Sequence, residues 1–129
     1  MTMRTFVSAK IHDITVTDAV LRYIGSVTID KRLMKEADIM PYEQVHVCNL
    51  SNGKRWITYA LPGDDGVFEL NGPGARNGIK GDKCVIMTYR QEEEYSGCRA
   101  VFVDENNKMT RTLNYPIDES LDYHTGEAL

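Results

Sequence analysis

Short runs of alternating apolar and polar residues follow one another along most of the chain. In "DITVTD", Ile14 and Val16 alternate with polar neighbours, and in "EQVHVCNL" Val45 and Val47 do the same. "KRWITYAL" follows Ser51-Asn52-Gly53, a hairpin-type turn signal, and "VFEL", "KCVIMTY" and "RAVFVD" come later between Gly- and Asn-rich connections. A period of two sends successive side chains to opposite faces, so each run predicts a strand. One segment departs from it. In "DKRLMKEADIM", Leu33, Met34 and Ala37 fall at helical spacing behind Asp30, a suitable N-cap, and ahead of Pro41, which stops a helix. Many short strands with one or two small helices predict a mainly β fold closed into a small barrel, because closure removes exposed sheet edges.

Length and composition narrow this picture. The chain has 129 residues and is 42% hydrophobic, enough for one real core and too short for two ordinary domains. A single barrel domain is expected over residues 1–113, followed by an acidic tail, 114–129. That tail, "NYPIDESLDYHTGEAL", contains no Lys or Arg and no sustained period, and reads as an exposed arm and a candidate for disorder. The formal charge of -4 argues against a partner such as nucleic acid or an anionic membrane, which select clustered Lys and Arg. Cys48, Cys84 and Cys98 are odd in number, widely spaced and without a CxxC pair, so free thiols in a reducing cytosol are expected. No apolar run approaches the roughly 20 residues needed to span a bilayer, and "MTMRTFVSAK" lacks a signal-peptide stretch. A soluble, cytoplasmic protein is predicted. Glu92, Glu93 and Glu94 read as a solvated face, His46 and His124 lack partners at metal spacing, and no metal is predicted.

"YIGSVTID" raises the chemical question. Gly25 and Ser26 interrupt a strand pattern carried by Val27 and Ile29. A serine hydroxyl can attack the carbonyl of its own preceding peptide bond and turn an amide into an ester, provided the backbone is held in place and the oxyanion is stabilised. Glycine suits that position, since it lacks a Cβ and leaves its carbonyl uncrowded. Hydrolysis of the ester would leave an N-terminal serine. Elimination across the serine Cα–Cβ bond would give dehydroalanine and then, with loss of ammonia, a ketone.

Five stretches go further: "SAKIH" from Ser8, "YIGSVTID" from Tyr23, "NGKRWITYA" from Asn52, "NGPGAR" from Asn71 and "GDKCVIM" from Gly81. Together, in order and over about residues 3–103, they resemble the aspartate 1-decarboxylase family, pyruvoyl-dependent enzymes that make β-alanine for pantothenate synthesis. The resemblance implies a six-stranded double-psi β-barrel assembled as a homotetramer. It also implies self-cleavage between Gly25 and Ser26, with Ser26 converted into the pyruvoyl group, which is then the cofactor. The substrate L-aspartate would condense with this ketone as a Schiff base and lose its α-carboxylate as carbon dioxide.

Carried over residue by residue, the family's substrate-binding arginine falls on Arg55, whose guanidinium suits a carboxylate. Tyr59 matches the tyrosine that protonates the decarboxylated intermediate, and Thr58 the threonine that assists cleavage by hydrogen-bonding the glycine carbonyl. Lys10 and His12 match residues near the substrate, Asn71 and Gly72 begin the loop bordering the pyruvoyl group, and Tyr23 matches a tyrosine just upstream of the cut. Departures are Pro73 and Gly74, where the family commonly has alanines, and Asp13, where many relatives have arginine; Pro73 supplies no backbone donor. Taken alone, each of these residues has a plain structural reading: Arg55 a surface residue after a turn, Tyr59 and Thr58 strand residues, Lys10 a solvated side chain, His12 a hydrogen-bonded structural histidine. Two other functions stay open at this point, an N-terminal-serine hydrolase and an uncleaved barrel that binds anions through Arg55 and Lys10. Decarboxylation of another amino acid such as glutamate, and a maturation-assisting protein partner, also stay open.

Overall fold

Nine strands, one short α-helix and one 3-10 turn form within residues 1–117, which a computed structural model describes. The strands are β1 (Arg4–Thr15), β2 (Asp18–Val20), β3 (Ser26–Asp30), β4 (Gln44–Asn49), β5 (Arg55–Gly63), β6 (Phe68–Asn71), β7 (Lys83–Glu92), β8 (Cys98–Val103) and β9 (Met109–Tyr115). They join in one sheet in the order β2-β6-β3-β5-β4-β7-β1-β8-β9. Two strands hold matching positions in it. β1 pairs antiparallel with β7 and parallel with β8, while β3 pairs antiparallel with β6 and parallel with β5. Parallel partners require crossovers, so this is no simple meander. The mainly β class holds and is compatible with a small barrel.

The sheet has nine strands in all, with the three-residue β2 and β9 at its two ends. β9 extends to Tyr115, which pairs with Cys98, while Asn114 pairs with Arg99. The expected disorder of the arm lies outside the described residues for 118–129.

Burial follows the predicted alternation, with Val45, Val47, Ile86, Val27, Ile29, Phe68 and Leu70 all enclosed. β1 is instructive because Ile11 and Ile14, three residues apart, are both fully buried. A regular strand cannot do this. The register to β7 shifts between these two residues, and Asp13 takes φ 63, so a bulge at His12-Asp13 reverses the facing of the strand.

The helix α1 (Lys31–Ala37) starts as predicted at Asp30, whose carboxylate accepts the Arg32 amide at 2.8 Å, and it buries Leu33, Met34 and Ala37. The same carboxylate accepts the Gly66 amide at 2.7 Å and faces the Arg32 guanidinium at 3.4 Å. Burial pushes its pKa up, but these donors outweigh it and hold the group below the usual carboxylate range. Asn107 is a second buried anchor. Its side chain accepts from the Thr15 amide and donates to the carbonyls of Thr15 and Gly66, tying the loop before β9 to the end of β1. The three cysteines are free; burial pushes the thiols of Cys84 and Cys98 up to about 12 and about 11. Among the described residues no helix is long and apolar enough to cross a membrane.

Candidate active site

Gly25 and Ser26 stand where β3 begins, and β6 with the turn that follows it closes over them. Antiparallel pairing sets Ser26 opposite Asn71. Ser26 is 2% exposed and Asn71 fully buried. The Asn71 amide donates to the Ser26 hydroxyl at 3.2 Å and to the Thr28 hydroxyl at 2.9 Å, while Ser26 Oγ donates to the Ile24 carbonyl at 3.2 Å. Asn71 Oδ1 is buried without a hydrogen-bond partner. An orphaned acceptor of this kind is rare in a folded core and marks a place where a polar group is expected.

The next residue, Gly72, opens a 3-10 turn over Gly72–Asn77 at φ 65. A Cβ there would lie 2.6 Å from Gly25 Cα, 2.9 Å from its nitrogen and 3.0 Å from the Tyr23 carbonyl oxygen. The turn therefore approaches the Gly25 backbone more closely than any side chain would permit. Pro73 continues the contact, since a Cβ on Gly25 would meet its Cδ at 3.5 Å. As the second residue of a short helical turn, Pro73 stands where a backbone N–H has no intrahelical partner and loses no hydrogen bond. Gly74 lies under Trp56, with its Cβ position 3.2 Å from an indole nitrogen that is also buried and unpartnered. The far end of the turn is held by Asn49, which donates to the Asn77 carbonyl and to Asp82, and by Asn52, which donates to the same carbonyl.

β5 supplies the opposite wall. Its parallel register to β3 starts at Val27 with Ala60, and continuing it by one residue sets Tyr59 beside Ser26, with Thr58 one position upstream. Tyr59 also stacks on Tyr42, with ring centroids 6.4 Å apart. Arg55 is exposed at the start of β5, about 13 Å along the strand from Tyr59 at 3.3 Å per residue.

Lys10 and His12 are elsewhere. Both belong to β1, four strands along the sheet from β3. Lys10 donates to the Tyr115 hydroxyl at 3.3 Å. Registers across four strands set Ile57, His46, Met87 and Lys10 in one row on the outer face of the sheet, and Ile57 is 60% exposed there. The chain thus brings Gly25, Ser26, Asn71, Gly72 and the Tyr23 backbone together, sets Thr58 and Tyr59 on the neighbouring strand β5, and leaves Lys10 and His12 four strands away on β1. The sequence reading missed Thr28; a strand threonine gives no local sign that it will share the Asn71 amide.

The His12 ring stacks on Phe102 at 4.5 Å, and the Arg111 guanidinium lies 3.8 Å from the centre of the same phenyl ring. Burial lowers the His12 pKa from 6.5 to about 4, assisted by the charges of Lys10 and Arg111 and opposed by Asp13. His12 is therefore neutral at pH 7. Between about pH 6.5 and about pH 4 the unfolded chain binds a proton that the folded chain refuses, so stability falls as the pH is lowered through that window. Urea unfolding of a His12→Gln variant at a series of pH values will show a flatter slope there. An unchanged slope would contradict the burial argument.

These features define a small β-barrel protein in which a Gly-Ser bond with a buried serine lies under a glycine turn, with an unfilled acceptor at the serine. The family model for aspartate decarboxylase matches residues 1–110. The chain is 49% identical to an aspartate 1-decarboxylase of Acaryochloris marina over 112 residues, which is 82% of this chain and 86% of that relative. It is 47% identical to the aspartate 1-decarboxylase of Trichormus variabilis over 87% of this chain and 93% of the relative, and 46% identical to that of Ruminiclostridium cellulolyticum over 86% and 91%. The chain belongs to the aspartate decarboxylase family, and it is an enzyme.

Proposed function

We propose that this chain cleaves itself between Gly25 and Ser26, converts Ser26 into a pyruvoyl group, and decarboxylates L-aspartate to β-alanine and carbon dioxide, supplying pantothenate and so coenzyme A synthesis in the cytoplasm. One observation carries the reading: the Ser26 hydroxyl is held by Asn71 at the peptide bond whose glycine meets the Gly72 backbone. The surroundings fit a small carbonyl group built from Ser26. The Asn71 amide already contacts the oxygen of residue 26, its own Oδ1 lacks a partner, and the space beside Gly25 is one that a Cβ at Gly72 would fill.

The pyruvoyl group supplies a ketone carbonyl that draws electrons from the α-carbon of a bound amino acid. The chain's residues do the rest. Thr58 hydrogen-bonds the Gly25 carbonyl during cleavage, when negative charge develops on that oxygen. Asn71 and the Gly72 backbone orient what is bound at residue 26. Tyr59, beside Ser26 by register, holds the proton that replaces the departing carboxylate. Arg55 and Lys10 receive the substrate carboxylates, as a bidentate fork and a point charge. His12 supports the site as a neutral imidazole.

The placement of Lys10 and His12 on β1, four strands along the sheet from β3, favours an assembly in which they serve the site of a second copy, in line with a homotetramer. The half-apolar outer row through Ile57, His46 and Met87 is a suitable face for it.

An intact-mass spectrum of the purified, denatured protein tests the reading. Two fragments meeting at Gly25 are expected, the larger lighter by one ammonia than a serine-started chain. A serine-started fragment at full mass would favour the hydrolase, and a single chain an uncleaved anion-binding barrel or a proenzyme awaiting a maturation partner. Tyr59→Phe will cleave normally yet lose about 10²-fold in kcat, the usual weight of a positioned proton donor. Unchanged kcat would remove Tyr59 from that role.

A further inference from the structure

Cleavage creates a group that the uncut chain does not have, the α-carboxylate of Gly25. We infer that Arg22 and Arg76 form the binding site for this new carboxylate. The inference rests on the cleavage reading above and concerns what becomes of the upstream fragment.

Both arginines line one surface cleft with Leu21, Tyr23, Ile24 and Pro73. Pro73 is the residue whose ring meets Gly25. In a 3-10 helix, residues three apart lie on the same side at about 2 Å rise per residue, so Arg76 sits over Pro73 with its backbone only about 6 Å further along. Arg22 is three residues before Gly25 on the other wall. Neither arginine has an ion-pair partner among the described residues, and the segments 19–29 and 71–80 contain no Asp or Glu. Two free cations therefore flank the point where an anion is released, and no acid of either segment competes for them.

The chemistry of release fits this placement. In the ester, loss of the Ser26 Cα proton to solvent and breakage of the Cβ–Oγ bond leave dehydroalanine on one side and the Gly25 carboxylate on the other. A fork of N–H groups donates to that carboxylate in bidentate geometry. The tether of the upstream fragment keeps it at millimolar effective concentration. Capture also clears the site: a free carboxylate beside residue 26 would repel the carboxylates of the substrate, whereas one paired with arginine does not.

Carboxypeptidase digestion of the matured protein, followed by intact mass, reads the state of this end directly. The wild type and an Arg22→Gln/Arg76→Gln variant are compared, with Arg22→Lys/Arg76→Lys as the charge-retaining control. The expected result is that Gly25, Ile24 and Tyr23 are trimmed about tenfold faster in the Gln variant, that the Lys variant falls between, and that about 1 M salt exposes the wild-type end to a similar degree. Equal trimming of wild type and Gln variant at low salt would overturn the inference. A wild-type chain that is uncut before the protease is added would instead overturn the cleavage reading itself, and the two failures are told apart by the first spectrum.

Discussion

A Ser26→Ala chain will give one uncut species after long incubation and no measurable decarboxylation of L-aspartate. The reason is chemical. The attacking atom and the future carbonyl both derive from Ser26, and a methyl group can neither open the Gly25 peptide bond nor lead to a ketone. The fold should survive, because the substitution removes two hydrogen bonds of 3.2 Å and leaves the Asn71 amide still bound to Thr28. The stability cost is about 1 kcal/mol, small against a total of roughly 5–15 kcal/mol. Intact mass and a carbon dioxide release assay check the two halves of the expectation separately. Cleavage without Ser26 would rule out serine attack, and decarboxylation without it would rule out the pyruvoyl mechanism.

Gly72→Ala is expected to come next in size, by a different route. The new methyl would lie 2.6 Å from Gly25 Cα, closer than real contacts allow, at a φ of 65 that costs an L-residue about 1–2 kcal/mol. The turn must then move off the Gly25 backbone. Asn71, one residue earlier, would lose its alignment on Ser26 as the turn retreats. Cleavage should slow by at least about tenfold, since such alignment errors at a reacting centre carry effects of that order or larger. Fragment ratios by intact mass over time give the rate, and thermal melting gives the smaller stability loss. A variant that matures at the wild-type rate would show that this close approach has no part in processing. The contrast is useful. Ser26→Ala removes a reactant, whereas Gly72→Ala keeps every reactant and disturbs only their spacing.

Much of the scaffold was legible because its signals are local. The alternation of Val45 and Val47 with polar neighbours, the Ser51-Asn52-Gly53 turn and the Asp30 cap each depend on residues within a few positions of one another, and each formed as expected. The bulge in β1 was not legible, although Ile11 and Ile14 carry its trace: their spacing of three fits neither face of a regular strand. β9 was missed for a related reason, as its partner β8 lies across a turn and its own pattern is weak.

At the site the division is similar. Gly25-Ser26 suggested self-cleavage chemistry, and the ordered set of stretches from "SAKIH" to "GDKCVIM" pointed to the family that the wider comparison bears out. Those are properties of residue identity and order, which one dimension carries in full. The contact between Gly72 and Gly25, the shared Asn71 amide and the remoteness of Lys10 depend on distances between segments 16 to 47 positions apart in sequence, by register and by crossover. Only the folded sheet decides them, because a strand's neighbour is chosen by tertiary pairing and not by what stands next to it in the chain.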